Sequence, residues 1–81
     1  PNPNRGEQLY LSLDAIEEGV NTVSVDIFDL LGKRVSARTI PVQGGFINTV
    51  LDLDGDMTGG MYLVNITAGG KHYTERLVIQ R

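Results

Sequence analysis

The chain has 81 residues, 41% of them hydrophobic and 21% charged, with a formal net charge of -3 at pH 7. A single core is all that this length supports, so an active-site cleft between domains is excluded, and the composition is too apolar for intrinsic disorder and too interrupted for a spanning helix or a signal-peptide h-region. The 7 Lys and Arg residues are scattered from Arg5 to Arg81, leaving no basic footprint for nucleic acid, and the lack of Cys removes disulfides, thiolate metal ligands and thiol nucleophiles.

The opening Pro1-Asn2-Pro3-Asn4-Arg5-Gly6 has turn or linker composition, because proline fixes φ and pushes the residue before it toward extended backbone. A chain that opens this way without Met is expected to be a fragment of a longer protein, with residues 1–81 forming one domain. A first strand is predicted over Gln8 to Leu13, where Leu9, Leu11 and Leu13 alternate with polar or amphipathic neighbours. Glu17-Glu18-Gly19 marks a corner. Thr22 to Asp29 follows, with Val23, Val25 and Ile27 on one face and Ser24, Asp26 and Phe28 on the other.

Leu31-Gly32-Lys33 then turns the chain into Arg34 to Val42, where Pro41, lacking an N–H, must lie at a strand end or a sheet edge. After the corner Gln43-Gly44-Gly45 come Phe46 to Leu53, the longer Asp54 to Gly59 segment, Gly60 to Thr67, the turn Ala68-Gly69-Gly70-Lys71 and His72 to Ile79. The turns at Gly32 and at Gly69-Gly70 are expected to close antiparallel hairpins, since glycine supplies positive φ without a Cβ clash. Short strands with no helical period predict an all-β fold, a small immunoglobulin-like antiparallel β-sandwich of six or seven strands, the seventh near the N-terminus. Leu11, Val25, Ile27, Leu53, Tyr62, Val64 and Leu77 are the expected core, with Met57 and Met61 filling gaps.

Candidate chemistry is sparse. His72 is the only histidine and has no Ser or Cys nucleophile in a recognisable constellation, so it reads as an exposed strand residue. Asp52, Asp54 and Asp56 alternate as in a calcium loop, but the glycine due after the third acid is Met57 and the bidentate Glu due at the twelfth position is Leu63. That segment reads as a solvated turn without a bound ion. Glu17 and Glu18 are successive residues in a corner rather than converging carboxylates. Gly69-Gly70-Lys71 lacks the spaced first glycine, the following Ser or Thr and the helix of a phosphate loop. Tyr10, Phe28 and Phe46 read as packing or edge residues rather than a carbohydrate platform. No catalytic residue, cofactor, metal or small-molecule substrate is expected.

Four blocks in order carry a resemblance. They are Pro1-Asn2-Pro3 with Gly6; Val25 to Val35, containing Asp29-Leu30-Leu31-Gly32-Lys33; Leu51-Asp52-Leu53 leading to Gly60-Met61-Tyr62-Leu63-Val64; and the ending Arg76-Leu77-Val78-Ile79-Gln80-Arg81. Together they resemble the C-terminal sorting domain, type A, of the type IX secretion system of Bacteroidota, with a longer loop before Gly60 than is usual there. The resemblance implies a non-catalytic secretion address on a small β-sandwich. Its implied partners are the type IX translocon, an outer-membrane shuttle protein that engages the C-terminal end, and a cysteine-peptidase-type sortase. The implied route runs through the periplasm to the outer-membrane surface or the medium.

Any sandwich would want Gly32 and Gly60 for backbone geometry, Tyr62 for packing and Leu77 with Ile79 for one face of the last strand. The tail Leu77, Val78, Ile79, Gln80 and Arg81 offers more, since a terminal strand presents main-chain hydrogen bonds, side chains and a charge to a partner by strand addition. Two alternatives stay open on the residues alone: an accessory binding module of an extracellular enzyme, which calls for exposed aromatics or a calcium site, and a spacer, which calls for chain ends at opposite poles.

Overall fold

The predicted strands are realised in the computed structural model, which describes residues 7–53 and 57–80. Its described strands are β1 (Gln8–Leu13), β2 (Thr22–Phe28), β3 (Arg34–Pro41), β4 (Ile47–Asp52), β5 (Gly60–Ala68) and β6 (Lys71–Ile79), and no helix occurs among the described residues. Both glycine turns close antiparallel hairpins as expected: β2 pairs with β3, and β5 with β6. The residues of a seventh strand near the N-terminus lie outside the described ones.

Two antiparallel sheets result, one of four strands in the order β3-β2-β5-β6 and one of two, β1-β4. Pro41 is the last residue of β3, an outermost strand, where its missing N–H costs no ladder bond. At Gly69 the backbone takes φ +65°, and a Cβ there would stand 2.7 Å from Val20 Cγ2, so the β5–β6 turn and the β1–β2 loop pack too closely for a side chain. The turn at Glu17 is closed by the Val20 N–H donating to the Glu17 carbonyl at 3.2 Å.

The core lies between the inner faces. From the larger sheet come Val23, Val25, Ile27, Ile40, Tyr62, Val64, Ile66, Ala68, Leu77 and Ile79; Leu11 and Ile47 come from the smaller, and Met57 enters from the loop before β5. Two core expectations are corrected. Leu53 is only half-buried, because it follows the last β4 residue and emerges at the rim of the small sheet. Met61 is 38% exposed, because its neighbour Tyr62 takes the inner face and the pleat turns Met61 outward.

Strand direction sets which loops meet. In the larger sheet β2 and β6 run toward the end that carries the β2–β3 turn, while β3 and β5 run away from it. β4 starts beside the end of β3, where Ile40, Pro41, Phe46, Ile47 and Asn48 border one surface cleft, so β4 too runs toward the β2–β3 turn and β1, its antiparallel partner, starts there. The start of β1 and the end of β6 therefore share one pole of the sandwich.

Candidate recognition site at the β2–β3 pole

Asp29 builds the β2–β3 turn with its own side chain. Its Oδ1 accepts the N–H groups of Leu31 and Lys33, both at 2.9 Å. Its main-chain N–H donates to the Lys33 carbonyl at 2.9 Å, and its carbonyl accepts the Gly32 N–H at 3.1 Å. Gly32 sits at φ +84° in open space, so backbone conformation and not crowding selects glycine. A short acceptor side chain that bonds its own following N–H groups is the ordinary role of Asp in turns. The result is a fixed loop whose two central leucines face solvent, Leu30 at 67% and Leu31 at 95% exposure.

Across a cleft of about 380 Å³ stand Met57 and Thr58 of the loop before β5, with Tyr62 of β5, facing Asp29, Lys33 and Arg34. The Tyr62 ring is buried, and its hydroxyl donates to the Thr58 carbonyl at 2.7 Å, with Thr58 Oγ1 at 3.3 Å. A tyrosine that ties its hydroxyl back to the chain just upstream is the device that fixes a corner in immunoglobulin-type sandwiches. Gly60, with φ +146°, opens β5 beside it. Tyr62 pairs with Leu77 and Gly60 with Ile79, so the end of β6 completes the same pole.

Of the residues singled out from sequence, Asp29, Gly32, Gly60, Tyr62 and Leu77 to Gln80 thus gather at one end. Pro1, Asn2, Pro3, Gly6 and Arg81 lie outside the described residues. Within the tail the roles divide: Leu77 and Ile79 are 1% and 2% exposed in the core, Val78 is half-buried on the outer face and Gln80 is exposed. Leu30 and Leu31 were not singled out, although two leucines inside an Asp-to-Gly turn are a legible sign of apolar side chains that a turn holds away from the core.

The other candidates do not converge. His72 is exposed at the far end of β6, with Nδ1 3.4 Å from Thr67 Oγ1. Asp52 accepts a hydrogen bond from Gln8 Nε2 at 3.2 Å, Asp54 and Asp56 lie outside the described residues, and no group of three metal-ligating side chains gathers among the described ones. Tyr10, on β1, and Phe46, just before β4, are about half exposed while Phe28 lies on the four-stranded sheet, so the three rings form no common platform. Glu17 and Glu18 are exposed in their turn.

The Asp29 carboxylate is a structural acceptor, which gives a direct expectation. Asp29→Ala removes two hydrogen bonds to backbone N–H groups and should lower stability by about 1–2 kcal/mol. Thermal melting of the two proteins checks this; an unchanged midpoint would mean the turn holds without its acid.

Comparison with protein-family models matches residues 1–80 to the secretion system C-terminal sorting domain. No curated protein matches the chain. The match takes in the four sequence blocks up to Gln80, and the described residues of the last three meet at one pole although they are far apart in sequence. On that coverage the chain belongs to the secretion system C-terminal sorting domain family, whose members are sorting signals for type IX secretion.

Proposed function

We propose that this domain is the C-terminal address of a longer cargo and that it is read at the β2–β3 pole. As a type IX sorting domain it works with the type IX machinery and directs export to the cell surface or medium. In the proposed sequence of events the cargo crosses the periplasm, an outer-membrane shuttle protein engages the end of β6 as the translocon passes it, and a cysteine-peptidase-type sortase separates domain from cargo. The domain itself performs no catalysis.

The observation that carries this reading is the convergence of the Asp29 turn, the Gly60 to Tyr62 corner and the end of β6. In this scheme Leu77 and Ile79 pin the strand to the core, while Val78 and Gln80, with Arg81 next in sequence, meet the partner. A terminal strand provides affinity through its main chain and specificity through alternate side chains, so no preformed pocket is required. A spacer would need β1 to start at one pole and β6 to end at the other, whereas both lie at the β2–β3 pole.

The test fuses the domain to a periplasm-targeted reporter in a type IX-competent bacterium. The intact fusion is expected at the cell surface or in the medium, and the reporter alone in the periplasm. Removing Gln80 and Arg81 should leave thermal melting unchanged and reduce export. A periplasmic intact fusion would overturn the address; full export of the shortened, folded domain would overturn the role of the last two residues.

A further inference from the structure

Among the described strands β3 pairs only with β2, so one edge of this 8-residue strand is open. A long open edge is a template for strand addition by another chain. Ladder bonds alternate along an antiparallel pair, and the Val42 N–H donates to the Asn21 carbonyl in register with the β2–β3 pairs. Ser36, Arg38 and Ile40 therefore bond to β2, while the main-chain groups of Ala37, Thr39 and Pro41 face the open edge. On β4 the Leu53 N–H bonds the Glu7 carbonyl in register with the β1 pairs, so the Asp52 carbonyl likewise faces away from β1.

Arg38 stands on the wrong face for a charge. Its partner on β2 is Val25, 1% exposed, so Arg38 lies on the core-facing row of β3 between Ser36 and Ile40. There it reaches sideways and stays exposed: Nη2 donates to the Asp52 carbonyl at 3.2 Å, and Nη1 donates to the Ala37 carbonyl at 3.5 Å. One guanidinium thus spans the open edges of both sheets. Pro41, another residue facing the β3 edge, has no N–H to offer. An inward charge and a proline are both devices that blunt an edge strand. We propose that Arg38, helped by Pro41, is an edge guard that stops a second copy of this chain from adding its β3 to the open edge. The second copy is the occupant at issue because an identical edge meets itself about a twofold axis, Thr39 against Thr39. In that pair Arg38 of each copy would stand opposite Ile40 of the other, and the two Arg38 residues would be diagonal neighbours about 7–8 Å apart. Both guanidinium groups would leave water for the seam between the sheets, with like charges brought together. The guard stands on sheet geometry alone and goes beyond the sorting reading. A domain read by strand addition at the end of β6 gains specificity when its β3 edge is closed.

Analytical ultracentrifugation of the purified chain tests this with Arg38→Thr and Arg38→Lys. Arg38 is exposed, so both variants should melt within about 4 °C of the intact domain. The intact domain and Arg38→Lys, which keeps the charge, should sediment as monomers. Arg38→Thr should dimerise, with an association constant raised about tenfold or more. The Ala37 and Thr39 amides should gain protection from hydrogen exchange in that dimer. Adding Thr39→Pro to Arg38→Thr removes the central edge donor without breaking a ladder bond, and should return the monomer. Should Arg38→Thr melt lower, Arg38→Gln carries the comparison. A folded Arg38→Thr that stays monomeric overturns the guard, as does an intact domain that already dimerises through β3. A variant dimer in which Ala37 and Thr39 stay unprotected places the contact elsewhere and overturns it too, and Arg38→Lys dimers as tight as those of Arg38→Thr overturn the role of the charge. None of these outcomes bears on export, which the reporter fusion reads separately.

Discussion

Leu77→Ala is expected to cost about 2–5 kcal/mol of stability. Leu77 is 1% exposed on the inner face of β6, directly beside Tyr62 of β5, and it is among the largest fully buried side chains of the described residues. Truncation removes its transfer free energy and leaves a cavity that neighbouring strands cannot close without breaking ladder bonds. At about 0.05–0.15 kcal/mol per residue, a domain of this size holds little stability in reserve, so one such cavity takes a large share of it. The melting midpoint should fall by about 4–8 °C for each kcal/mol lost. Export of the variant should fall with the folded fraction and recover at lower temperature. This separates it from the Gln80 and Arg81 deletion, which should lose export without losing the fold. A Leu77→Ala midpoint within about 2 °C of the intact domain would show that the end of β6 is not packed as described.

Tyr62→Ala should be at least as damaging, at about 3–5 kcal/mol for the loss of a buried aromatic ring. The ring fills the core beside Leu77, and its hydroxyl holds the Thr58 carbonyl at 2.7 Å. The variant therefore empties a core site and releases the loop that lines the cleft opposite Asp29. Tyr62→Phe keeps the ring and loses only the hydroxyl, for about 1 kcal/mol. The difference between the two variants in urea unfolding measures packing against hydrogen bonding at this corner. Equal losses would assign the whole effect to the hydroxyl and contradict the buried ring.

Much of this architecture was legible in the residues. Alternation in β2, with Val23, Val25 and Ile27 against Ser24, Asp26 and Phe28, specifies both a strand and its inward face, because one face of an antiparallel sheet must meet the core. Gly32 and Gly69 mark the two hairpins because only glycine takes positive φ there at no steric cost. The boundaries moved by a residue or two, as at Phe46, which lies just before β4, and Asp29, which leaves β2 to cap its turn.

Periodicity assigns a face to each side chain but not the opposing layer. The small sheet has two strands against four, and it ends at the Gln8 and Asp52 pair, so Leu53 is half-buried while Leu11 is covered. Alternation alone treats those two leucines alike.

The sequence by itself determined that this chain is an all-β sandwich, which residues fill most of its core, and, through four ordered blocks, which family it resembles. Those are properties of local period, turn chemistry and motif order, and each is carried by neighbours in the chain. Tertiary structure alone decided that the Asp29 turn, the Tyr62 corner and the end of β6 share one pole, and that Leu31 projects into solvent. These depend on strand direction and on which sheet covers which, and both are set by pairings between residues far apart in sequence, whose closure no local pattern records.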